Sequence, residues 1–474
     1  MKTDFNLIFQ KTLILLLVFS LCLTGCSKDA PTISSDIGVT SSDISAPTVS
    51  SSVPNGTTSI PRPYSVPSSS SEISSTPSTP YSPTTSTPVE LTPITVLIDR
   101  VPTSAEKKAV EKFEKEYNAS VNFKITQPKF YLDELNDNSA VKPTISVVCF
   151  DFEQLPTFAA KHLKSISSYY LQDECWETEY LNYFKINKKV LGLATRGSWM
   201  CEDKNYLLYY DTDVLKSAGI TAMPDKLYSE GKWNWETQKQ MFEKLKAKQI
   251  TPLMLDFENL IMLSAGADFV GFNNGSYSNN LKNPSANSPL IKSWLYTAEL
   301  KQKYYIAEKT DIAEFNDFKV GFYAAPAYHM HKERSEFTNL SDKRAVPLAG
   351  PTAAETYIPF SLRYWGIPKK CPEERLAIQF IHFMLNLENN PVKGTFANSQ
   401  FETIYNKMVS KSTKRKINYS HAINYIDKNG CLKLCTTLSN TSPTSSDMVD
   451  AMKTQFERVE SAVYRINKDL PRIK

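Results

Sequence analysis

The chain has 474 residues, with 54 Lys+Arg against 50 Asp+Glu. A formal charge of +4 is small for this length, and without a dense Lys/Arg stripe it gives no argument for nucleic acid as a partner. Aromatics are plentiful (24 Tyr, 24 Phe, 6 Trp) while Gly is scarce at 15, and the stretch after residue 93 is too long for one core and implies two lobes.

At the amino terminus Lys2 and Lys11 supply positive charge, and Thr12 to Leu23 reads TLILLLVFSLCL. About twenty apolar residues are needed to span a bilayer, so this run is too short. A charged flank, a short apolar core and a small-residue exit describe a secretory signal peptide. The exit, Leu23-Thr24-Gly25-Cys26, resembles the bacterial lipobox. That resemblance implies cleavage before Cys26 and a diacylglycerol on its thiol. Together with further acylation this would hold the chain on the membrane, because one acyl chain alone binds only marginally.

From about 27 to 92 the chain is dominated by Ser, Thr and Pro with few large apolar residues. Such a segment cannot bury enough surface to offset the entropy of ordering and is expected to be a disordered tether. Of the eight cysteines, Cys22 falls in the signal and Cys26 is the expected anchor. Cys149, Cys175, Cys201, Cys371, Cys431 and Cys435 have irregular spacing with no CxxC pair, which argues against zinc. Export permits disulfides, and Cys175 with Cys201 or Cys431 with Cys435 are left open as pairs.

In the globular part, Ile94 to Ile98 is a buried-strand pattern. Thr103 and Glu106 form a capping box ahead of a helix with Ala109, Val110, Phe113 and Tyr117 at helical spacing. Val121, Phe123 and Ile125 alternate as a strand, and Ile145 to Phe150 is another. Strand–helix–strand order predicts an α/β lobe with ligand at the carboxyl ends of its strands, here Asp99-Arg100 and Asp151-Phe152. A second lobe is expected to start near Tyr206. Asn234 caps a helix running to about Lys248, with Trp235, Phe242 and Leu245 facing inward. Pro372 is placed in the first turn of a helix whose stripe is Leu376, Ala377, Phe380, Ile381 and Met384.

Several segments in order resemble the extracellular solute-binding proteins of ABC importers, in the large sugar-binding family. YLLYYDTDVLKSAGIT (206–221) is similar to the family's LYYNKDLFKKAGI segment, with Asp211 where Asn is usual. GKWNWETQKQMFEKLK (231–246), FKVGFYAAPAYH (318–329), AVPLAGP (345–351) and YWGIPKKCPEERLAIQFIHFM (364–384) match further family segments. The match spans most of 93–390, and 395–474 fits only as a helical tail. The resemblance implies a two-lobed α/β fold of the periplasmic-binding-protein type, with a hinge and an interlobe cleft. Its lobes would be about 93–206 plus 350–400, and about 207–349 plus 401–474.

The function so implied is capture of a small-molecule solute, most simply a sugar, by a monomeric protein that delivers it to permease subunits. No cofactor is implied. The ligand-binding candidates by position are Asp99, Arg100, Asp151, Trp199, Tyr328, Arg363 and Trp365. Trp233 and Trp235 read as core residues. His329 and His331 lack a third ligand and make a poor metal site. Five His with no HExxH, GxSxG, P-loop or GxGxxG argue against an enzyme. Two other readings stay open: a receptor reporting to a sensor kinase, and a lipid-anchored glycoside hydrolase, which would need two carboxylates about 5–10 Å apart.

Overall fold

The computed structural model describes residues 91–469 except 137–143, 155–161, 173–175, 187, 274, 305, 309–311 and 420–430. The signal segment, Cys26, the tether and Cys175 lie outside the described residues. Among the described residues no helix is long and apolar enough to cross a membrane.

Nine strands build two sheets: β1 (Thr92–Ile98), β2 (Ala119–Ile125), β3 (Val147–Asp151), β4 (Tyr206–Asp211), β5 (Thr251–Leu255), β6 (Ala307–Glu308), β7 (Val320–Pro326), β8 (Lys343–Val346) and β9 (Arg363–Gly366). The first sheet runs β9-β3-β1-β2, and the second β6-β5-β7-β4-β8. In the first, β1 is parallel to β2 and β3, and β9 returns antiparallel beside β3. In the second, β5 is parallel to β6 and β7, whereas β4 runs antiparallel to both β7 and β8. Two separate sheets meet the expectation of two lobes from chain length, although one buried core runs through both and a second, around Leu207, Tyr209 and Tyr323, covers the other face of the second sheet.

Most of the expected signals act where the sequence places them, with Trp235 and Pro372 as exceptions. Helix α1 (Ser104–Tyr117) starts at a complete capping box between Thr103 and Glu106. Phe113 on its inner face meets Phe380 and Phe383, at 5.2 and 5.5 Å between ring centroids. Asn234 caps α2 (Trp235–Ala247), and Phe242 and Leu245 are buried. Gly321 passes beneath Leu245, where an added Cβ would sit 2.4 Å from a Leu245 methyl. Trp235 is only partly buried and stacks on Tyr296 at 4.3 Å. Helix α3 (Glu374–Leu385) has Glu373 at its N-cap position, without a side-chain cap, so Pro372 stands just outside it rather than in its first turn. Its buried stripe contains Ala377, Phe380, Ile381 and Met384, with Leu376 half-buried at the margin.

Among its described residues the tail is mostly helical, with one short strand at Arg415–Ile417. Helix α4 (Ser445–Asp469) lies against the hairpin formed by Val270–Asn273 and Ser276–Asn279, where the Asn467 side chain bonds both backbone groups of Tyr277. Cys149 is a buried thiol, as its apolar run predicts. Cys201 is also a buried thiol and accepts a hydrogen bond from the Thr195 N–H, and its pairing with Cys175 lies outside the described residues.

Candidate functional site

The carboxyl ends of β1 and β3 leave Asp99-Arg100 and Asp151 at the edge of the first sheet. Arg363 opens β9 directly opposite Asp151. The second sheet contributes from the start of β4 and the end of β7. Backbone bonds from Ala327 to Asn205 and from Tyr328 to Asp203 tie these two together. Asp203 and Lys204, just before β4, therefore stand between the ends of both sheets.

Eight charges meet here. Arg363 grips Asp99 with both terminal nitrogens, at 2.6 and 2.9 Å. Its Nε lies 3.1 Å from Asp203 and 3.6 Å from Asp151. Lys204 reaches Asp151 at 2.6 Å and Asp99 at 3.4 Å. Arg334 pairs with Asp203 at 2.8 Å. Arg100 forks onto Glu106, at 2.7 and 2.6 Å, with Asp203 3.7 Å away. Four carboxylates and four cations sum to zero.

Burial alone would raise the Asp203 carboxyl, but Arg363, Arg334 and Arg100 reverse this and hold it far below the usual carboxylate range. Burial likewise works against Asp99 and Glu106, and both are held low, Asp99 by Arg363 and Lys204 and Glu106 by Arg100. Burial and Arg363 push Lys204 down, yet Asp151 and Asp99 outweigh them and raise it. All three carboxylates are thus kept ionised.

The cluster is graded in exposure. The Asp203 side chain is sealed, whereas Asp99, Asp151 and Lys204 remain 13, 12 and 24 % exposed. These three offer atoms to a solute. Arg100 offers little, because Glu106 occupies its fork. Tyr328 is half-buried beside the cluster, with the Arg334 guanidinium 5.1 Å from its ring centre. At the same end of the second sheet the exposed ring of Phe257 leans on Tyr206 at 5.8 Å.

Two of the seven positions fall elsewhere. Trp199 opens the short helix Trp199–Glu202 but turns into the core beside Tyr405 and Phe396, and its indole N–H donates to Thr395 Oγ1 at 2.8 Å. Trp365 is fully buried and donates to the Met200 carbonyl. It lies two residues past Arg363, about 7 Å further along the strand, which takes it under the helices. The structure thus joins Asp99, Arg100, Asp151, Arg363 and Tyr328, and moves the two tryptophans into packing. Sequence reasoning missed Asp203, Lys204, Arg334 and Phe257. The one local signal was the polar run Glu202-Asp203-Lys204-Asn205 immediately before the aromatic and aliphatic run Tyr206–Tyr210.

The two-sheet architecture has solved counterparts. An ABC substrate-binding protein of Listeria monocytogenes in complex with cycloalternan superposes with a TM-score of 0.56 at 15% identity, covering 81% of this chain and 100% of that one. The sugar-binding protein MalE of Xanthomonas citri gives 0.59 at 12%, over 79% and 98%. The galacto-N-biose-/lacto-N-biose I-binding protein of Bifidobacterium longum gives 0.58 at 12%, over 79% and 98%. At such identities the likeness establishes the two-lobed α/β fold. No curated protein sequence matches the chain. Residues 108–391 match the family model of the bacterial extracellular solute-binding proteins, well over half of the chain, and to that family the chain belongs.

Proposed function

We propose that the protein is the membrane-anchored, monomeric binding component of an ABC importer. It would capture a neutral, hydroxyl-rich solute, a carbohydrate, between its lobes and pass it to permease subunits. The lobes would be about 93–206 plus 350–400 and about 207–349 plus 401–474, each carrying one sheet. Cys26 would carry the lipid. The observation that carries this reading is the ion cluster at the meeting ends of the two sheets. Its exposed edge, Asp99, Asp151 and Lys204, falls in the first lobe, and Arg334, Tyr328 and Phe257 beside it fall in the second, so a solute touching both sides is gripped by both and lobe closure follows. Every charge already has an opposite partner. A charged solute would have to break a pair, whereas hydroxyls can share the exposed edges of Asp99, Asp151 and Lys204 as they stand. Phe257, Tyr206 and Tyr328 supply ring faces of the kind that cover the apolar face of a pyranose. The solved counterparts include proteins bound to oligosaccharides, which supports the same class.

The test is thermal unfolding of the purified chain against a panel of neutral oligosaccharides, amino acids and peptides. Ligand binding to the folded state raises the melting temperature by mass action. We expect at least one oligosaccharide to do so, and the shift to vanish in Lys204→Met and Asp151→Ala. A panel in which only peptides or amino acids shift the transition would sink the carbohydrate assignment.

A further inference from the structure

Between Glu179 and Glu202 the sequence has no acidic residue, yet it carries Lys185, Lys188, Lys189 and Arg196. Three of these sit on one hairpin, formed by Lys185–Ile186 and Lys189–Val190, whose tip turns through Lys188 in the left-handed region at φ 65°. The hairpin belongs with the first sheet, since Val190 bridges Ile166 and Leu193 bridges Trp365 of β9. Facing it is the 270–279 hairpin, which packs on α4. The two enclose a groove of about 500 Å³. That is within the range of small-molecule sites, roughly 300–1,000 Å³.

The lining has a definite chemistry. Phe272, Tyr419 and Tyr183 present aromatic surface, with Phe272 and Tyr419 inclined by 30° at 5.8 Å. Asn182 and Asn273 contribute amides, and Lys185 and Lys188 contribute exposed ammonium groups. The neighbouring carboxylate, Glu179, is already held by the Tyr183 hydroxyl and by Arg196. The groove also differs from the ion cluster in sign, for the cluster sums to zero while the groove is lined by cations alone among its charged residues. A buried ring separates the two: Phe152, immediately after Asp151, packs on Phe272 at 6.2 Å and on Tyr419 at 5.6 Å.

We propose that this groove is a second ligand site, specific for a pyranose that carries an anionic group such as a carboxylate, sulfate or phosphate. The rings cover the apolar sugar face, the amides pair with hydroxyls, and Lys185 and Lys188 bind the anion. The site is independent of what the interlobe cluster takes, so either assignment stands if the other fails.

Calorimetric titration of the purified full chain with digalacturonate, an acidic disaccharide, and maltose, a neutral one, tests this. Digalacturonate is expected to bind, with affinity falling about tenfold or more in Lys185→Gln/Lys188→Gln. Both lysines are exposed, so that variant keeps its fold. Absence of digalacturonate binding overturns the proposal. So does binding that survives Lys185→Gln/Lys188→Gln, which would put the acidic sugar outside this groove. Maltose binding that also drops in Lys185→Gln/Lys188→Gln would overturn the anionic requirement.

Discussion

Asp211 shows how a single charge alters its surroundings. Its Oδ1 caps the helix Thr212–Ser217 by accepting from the Asp213 and Val214 N–H groups. An asparagine would do this without a net charge. The aspartate is 1 % exposed, and its other oxygen is met by the fully buried Lys343 at 3.1 Å, whose ammonium also lies over the Phe315 ring at 4.4 Å. Removing one partner of such a pair leaves an uncompensated buried charge. Lys343→Met is therefore expected to cost about 3–5 kcal/mol in urea unfolding, and Asp211→Asn in the same chain to recover most of it. Asp268 is a second case. Burial lifts its carboxyl to about 7, against the pull of Lys416 and three backbone N–H groups. An acid whose folded pKa exceeds its unfolded value of 3.8 stabilises the fold when protonated, so its contribution shrinks as pH rises from about 4 to 7. Asp268→Asn should flatten the stability profile across that window. An unchanged slope in denaturant titrations at pH 4.5, 6 and 7.5, spanning roughly that range, would count against the assignment.

At the scale of elements, helix starts and core stripes were the most legible features. Thr103 with Glu106 and Asn234 with Thr237 are local arrangements, so four consecutive residues suffice to reveal them. Thr103→Ala is expected to cost about 1 kcal/mol of unfolding free energy. Strand ends were legible for the same reason and put Asp99 and Asp151 at one edge of the first sheet, whereas the pairing of Arg363, the first residue of a strand, with both was not legible. Orientation was not legible. Trp199 follows its cap Ser198, and nothing nearby in the chain shows that its ring turns toward Tyr405, some two hundred residues later. Its neighbours make Trp199→Ala a packing change, with an expected loss of about 3–5 kcal/mol of stability. Binding of a solute at the cluster should survive in the fraction that remains folded. Asp203 and Arg334 were illegible because each is an ordinary surface-type residue in sequence, and only the meeting of two sheets buries them together.

Among the described residues the ends of the two sheets meet at a charged seam, and acid stability depends on that seam. Asp99, Asp203 and Glu106 titrate below their ordinary 3.8, 3.8 and 4.5. Depressed carboxylates stabilise the fold above the unfolded pKa and lose that contribution as pH falls through the folded one. Stability is thus expected to hold down to about pH 5 and to fall progressively below about pH 4. Small-angle scattering across the same range should show the two lobes parting as the carboxylates protonate. A radius unchanged until global unfolding would mean that the seam does not hold them.

Asp203 has one more consequence, which concerns the medium rather than the molecule. Fluid outside a cell changes in salinity by large factors, and exposed charge pairs weaken as ions gather around them, with a screening distance of about 10 Å at 0.1 M. A sealed carboxylate ringed by three guanidinium groups admits no counterions. Its pairs with Arg363, Arg334 and Arg100 are thereby expected to vary little between brine and fresh water, while the pairs of Lys204 with Asp99 and Asp151, at the exposed edge, weaken.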